Sequence, residues 1–131
     1  MDSILKKLEK DDSGMDTYDY IVNHADSCIN YMPQLSEILI RVDNSGQFLA
    51  SAARFLHAVD PESYEPYIGT FIEAAIDKDH ERKYIGGLLK AIWGEDFEEN
   101  SITLQENDNN FRRIYKRLYP AKALNHSNHL I

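Results

Sequence analysis

Apolar residues recur along this chain at intervals of three and four, the spacing that lines one face of an α-helix. Ile4, Leu5 and Leu8 predict a short first helix, ended by the polar break Asp11-Asp12-Ser13-Gly14. Met15, Tyr18, Val22, Ala25, Ile29 and Met32 continue the stripe, widened by Ile21 and Cys28, and predict one long helix over 15–32. Pro33 opens another, a place where its missing N–H leaves no bond unmade, with Leu35, Ile38, Leu39 and Val42 as the buried side. Asp43-Asn44-Ser45-Gly46, all turn formers, stops it.

The stripe Phe48, Leu49, Ala52, Phe55, Leu56 and Val59 is unbroken and predicts the clearest helix. Asp60-Pro61-Glu62 reads as a cap with a first-turn proline, and Pro66 redirects the chain. Tyr67, Ile68, Phe71, Ile72, Ala75 and Ile76 line the following helix; Tyr84, Ile85, Leu88, Leu89 and Ile92 line the next, which Gly94 ends. From Glu95 to Asn110 the pattern weakens, leaving Phe97, Ile102 and Leu104 as core candidates. Asp108 or Asn109 caps a final helix carrying Phe111, Ile114, Tyr115 and Leu118, and Pro120 closes it. No stretch alternates with a period of two, so the predicted class is all-α, with about six to seven helices. Residues 1–119 form the expected single domain, and the polar run 120–131 reads as a flexible tail.

The segment Phe48–Asp60 repeats in character at Tyr84–Asp96, an offset of 36 residues. Aromatic falls on aromatic, Arg54 on Lys90, His57 on Trp93 and Asp60 on Asp96. Helical repeats have periods of about 34 to 47 residues, and this spacing resembles the helix pairs of HEAT and armadillo repeats over roughly residues 15–105. That resemblance implies antiparallel pairs stacked into one continuous core; an irregular helical bundle is the other arrangement the pattern allows. Gly86-Gly87 within a helix costs about 1 kcal/mol per glycine, which close approach of a neighbouring helix backbone would offset.

Composition narrows the class without naming a function. At 131 residues with 43% hydrophobic and 27% charged positions, the chain suits one globular domain and is no disordered polymer. It has no apolar run of the ~18 residues a bilayer span needs, and Met1–Lys7 lacks the apolar stretch of a secretion signal. With Cys28 its single cysteine, no internal disulfide can form, and a cytoplasmic home is expected. Net charge is −8 but unevenly spread. Residues 1–110 hold all 22 acids and nine bases, giving −13, whereas residues 111–131 hold five bases and no acid, giving +5. The basic residues Arg112, Arg113, Lys116 and Arg117 are therefore either docked on the acidic body or a handle for an acidic partner or a phosphate.

No dinucleotide, P-loop, zinc-protease or paired-cysteine motif is present, and Asp77-Lys78-Asp79-His80 lacks the later residues of a calcium loop. His24 lies four residues before Cys28, the spacing of a histidine-activated thiol, but Cys28 flanks an apolar stripe and reads as a small core residue. Glu73, Asp77, His80 and Glu81 are the best metal candidates; helical angles turn Glu73 and Asp77 to solvent, so no metal or cofactor is assigned. His126 and His129 fall in the polar tail.

Aromatic and basic residues near helix ends are the remaining candidates, because Tyr, Trp and Arg dominate binding hot spots. Tyr64, Tyr67, His57 and Trp93 join Arg112, Arg113, Lys116 and Arg117 as the expected contact residues. The function expected is a non-enzymatic protein–protein interaction module, one form of which is an acidic inhibitor or immunity-type protein. The alternative is a small metal- or ligand-binding helical protein. Nucleic acid is disfavoured by the acidic body, and self-association is open.

Overall fold

The computed structural model describes residues 2–124, and every described element is helix or turn. The helices are α1 (Asp2–Leu8), α2 (Met15–Asn23), α3 (Met32–Val42), α4 (Gln47–Val59), α5 (Glu65–Lys78), α6 (Gly86–Trp93), α7 (Ser101–Asn107) and α8 (Asn109–Leu118), with a 3-10 turn at Ile29–Tyr31. The all-α expectation holds. The count rises to eight because α7 forms where the apolar pattern had faded. Its Ile102 is 63% exposed, so this helix carries little of the stripe that would announce it.

The long helix expected over 15–32 is interrupted. The helix ends at Asn23, the chain turns through His24–Ser27, and α3 begins at Met32. Burial nevertheless continues through the break at Cys28 and Met32, and this is why the apolar period runs on. Met15 and Val59, both expected inside, are about half exposed at the first and last positions of their helices.

Helices two apart in sequence pack on one another: α1 on α3, α3 on α5, α2 on α4, α4 on α6 and α6 on α8. The α4–α5 contact is the most extensive, and α8 also lies on α5 and α7. Leu35, Leu39, Leu49, Leu56, Phe71, Ile85, Leu88, Phe111 and Ile114 are all fully buried in a single apolar cluster.

Three buried aspartates close the turns inside this core: Asp11 between α1 and α2, Asp43 between α3 and α4, and Asp79 between α5 and α6. One oxygen of Asp43 accepts from the Ser45 and Gly46 N–H groups (both 3.1 Å), and the other accepts from Leu49 N–H at 2.8 Å. Asp11 repeats the arrangement with Ser13 and Gly14 on one oxygen and Thr17 N–H and hydroxyl on the other. Asp79 accepts from Lys83, Tyr84 and Ile85. In each loop the N–H of the residue six positions on is held, in the first turn of α2 and α4 and at the residue just before α6. Asp43 and Asp79 are 36 residues apart, the offset of the sequence echo.

The loops also touch. A Cβ at Gly14 would lie 3.2 Å from the Asp43 Cβ, and one at Gly46 would lie 3.0 Å from the Ala75 carbonyl and 3.3 Å from the Asp79 Cβ. Both glycines have positive φ, 99° and 87°. Lys78 adds a clamp, donating from Nζ to the Asp43 carbonyl at 2.6 Å. Gly86 and Gly87, by contrast, face side chains: Leu118 lies near the first and Arg54 near the second. The expected approach of a helix backbone at that pair is therefore corrected.

Two predictions follow from the loops. Gly46→Ala should lower stability by about 2 kcal/mol or more, since it combines positive φ with a backbone clash, whereas Gly86→Ala should change it by less than about 1 kcal/mol. Equal urea midpoints for the two variants would contradict the stacked-loop account. Burial raises the Asp11 carboxyl, but its hydrogen bonds from Thr17, Ser13 and Gly14 outweigh this and hold it below the ordinary value. Its stabilisation is therefore present above pH ~4 and lost as the pH falls through the lower folded value. Asp11→Asn should cost about 1–3 kcal/mol at pH 7 and progressively less below pH ~4; a deficit equal at both pH values would refute the linkage.

Candidate functional site

The eight expected contact residues separate into three groups. His57, on α4, and Trp93, at the end of α6, converge on one cleft of about 370 Å³. Its floor is apolar, from Ile68, Ile72 and Ile92, and its rim carries Glu62, Glu65 and Asp108 with no lysine or arginine. The two residues aligned in the sequence echo thus line the same cleft.

Trp93 is half-buried and fixed in place. Its indole N–H donates to Asp108 Oδ2 at 2.8 Å, and its ring meets Phe111 edge-on at 5.3 Å. The other Asp108 oxygen accepts from Phe111 N–H at 3.1 Å, so one carboxylate caps α8 and orients the tryptophan. Glu62 and Glu65, exposed on the α4–α5 turn and the first turn of α5, have no such tie. They are the exposed acceptors of the cleft, and sequence reading had passed over them.

The second group is basic. Arg113, Lys116 and Arg117 share one face of α8 and line a cleft of about 420 Å³ with Arg82, from the α5–α6 loop. Arg113 pairs with Asp77 of α5 at 2.6 Å, so the basic helix is partly docked on the acidic body. Arg112 does not line this cleft; its guanidinium donates to Asn109.

The third group corrects the expectation. Tyr64 is 2% exposed and offers no contact surface. Its hydroxyl donates to the Ala25 carbonyl at 2.5 Å and lies 3.6 Å from Cys28 Sγ, bridging the break after α2. Burial and the Cys28 contact push its hydroxyl well above the usual tyrosine range. Tyr67 is half-buried against the core and lines neither cleft.

The thiol reading finds no supporting geometry. Burial pushes the Cys28 thiol up, and His24 turns to Tyr20 instead, bonding its carbonyl through Nδ1 at 2.9 Å and stacking on its ring. Among the described residues no three His, Cys, Asp or Glu side chains are grouped to hold a metal. Asp77, one of the metal candidates, faces Arg113. His126 and His129 lie outside the described residues, as does the tail beyond Leu124. Before that point Leu124 N–H donates to the buried Gln105 at 2.7 Å. No described helix is long and apolar enough to cross a membrane.

Tyr64→Phe should lower stability by about 1 kcal/mol through loss of the Ala25 bond, while Tyr64→Ala should lose about 3–5 kcal/mol. Wild-type stability in the alanine variant would put the ring on the surface after all. Comparison with known proteins yields no matching family model, no matching curated protein and no matching solved structure.

Proposed function

We propose that this chain is a non-enzymatic protein–protein interaction module of the cytosol, built from helix pairs stacked in a repeat-like array. Its form is an acidic inhibitor or immunity-type protein that covers a basic surface of its partner. The recurring aspartate loops and the packing of alternate helices support the repeat-like reading.

The observation that carries the functional reading is the acidic cleft. Glu62 and Glu65 stand exposed at an apolar floor walled by Trp93, with no ion pair among the described residues. A lysine or arginine side chain suits such a place: its aliphatic stem covers the isoleucines, and its charged head meets the carboxylates beside an aromatic face. A body carrying −13 over residues 1–110 would steer a cationic partner towards it.

A second reading, a small ligand-binding helical protein, has one observation behind it, the cationic cleft beside α8.

The test is purification of the bound partner beside a Glu62→Lys/Glu65→Lys variant, followed by association kinetics. A stoichiometric basic protein should bind the wild type, be lost on charge reversal, and associate about tenfold more slowly or worse between low and physiological salt. Retention by the reversed variant would remove the cleft from the interface, and a salt-independent rate would remove the steering.

A further inference from the structure

Arg82 occupies a position that the other two aspartate loops give to glycine. Gly14 follows Asp11 by three residues, Gly46 follows Asp43 by three, and Arg82 follows Asp79 by three. All three have positive φ, and Arg82, at 59°, is the one non-glycine residue to do so among the described residues. For an arginine that conformation costs roughly 1–2 kcal/mol, and glycine would avoid it.

Sequence reading did not select Arg82, yet its side chain joins Arg113, Lys116 and Arg117 in the cleft beside α8. Arg113 has Asp77 as a partner. Arg82, Lys116 and Arg117 have no ion pair among the described residues, in a chain with 22 acids against 14 bases. Three unneutralised cations therefore face one concavity, held there by a strained loop and by helical spacing. An anion seated in the cleft would relieve the mutual repulsion of these cations.

We propose that this cleft is a binding site for a diphosphate-bearing small molecule. Four cations and one carboxylate leave a net charge of +3 at the site. One phosphomonoester carries only about −2, so two linked phosphoryl groups match the charge better. Three guanidinium groups suit phosphoryl oxygens because each can donate two parallel N–H bonds, and about 420 Å³ lies within the size range of small-ligand sites. A nucleic-acid strand fits less well: the cationic surface is one short cleft on a body of strongly negative charge.

Calorimetric titration of the full chain with inorganic diphosphate, against sulfate and monophosphate at matched ionic strength, tests the assignment. Diphosphate should bind at least about tenfold more tightly than either control. Arg82→Gly should lose about tenfold or more in affinity while melting no lower than the wild type, because glycine relieves the backbone as it removes the guanidinium. Lys116→Gln should also weaken binding, and Arg112→Gln, outside the cleft, should leave it unchanged. Diphosphate binding no better than sulfate, or an unchanged affinity in Arg82→Gly, would overturn the site. Tighter binding to single-stranded oligonucleotides, weakened equally by Arg112→Gln, would overturn it in favour of a nucleic-acid surface.

Discussion

A carboxylate buried among backbone N–H groups is the interaction on which this fold depends. A helix begins with N–H groups that have no partner inside it, and burying such an end is unfavourable unless something accepts from them. Asp11, Asp43 and Asp79 do this at the turns into α2, α4 and α6, each accepting from three residues. The donors in turn satisfy the carboxylates, so charge can sit inside the protein with backbone N–H groups as its main partners. Among the described residues, every buried side-chain nitrogen and oxygen has a hydrogen-bond partner. The helices can then pack close because their entrances are internally saturated.

Much of this was legible, and the exceptions are physical. The all-α class followed from apolar spacing, and the 36-residue echo has a structural counterpart in Asp43 and Asp79. The aspartates themselves were read as generic turn formers. The signal that would have found them is the repeated Asp-x-Ser-Gly at 11–14 and 43–46. Periodicity missed the break after α2 because Cys28 keeps the stripe buried through the turn, and what holds that turn is Tyr64, some forty residues away. A contact at that separation leaves no local trace. The same tyrosine therefore looked like surface, since its position at a helix entrance says nothing of what covers it.

The candidate site was half visible. His57 and Trp93 were paired by the echo, and three of the four basic residues expected on α8 share a cleft. Glu62, Glu65 and Arg82 were hidden because the walls that complete their clefts, Trp93 and α8, come from elements distant in sequence. The uneven charge of the chain resolves into two concavities of opposite sign, the acidic one walled by Trp93 and the basic one by α8. Ion pairs such as Arg113–Asp77 tie the basic helix to the body without cancelling its surplus.

The contact between one loop's glycine and the next loop's aspartate makes each turn the mould for the one packed against it. Gly14 leaves room for Asp43, and Gly46 leaves room for Asp79. At the third loop the glycine's place is taken by Arg82, and Asp108, before α8, caps that helix and holds Trp93 instead of closing a loop of the same kind. One substitution in the loop, arginine for glycine, thus exchanges a place that admits the next turn for a cation on the cleft beside α8.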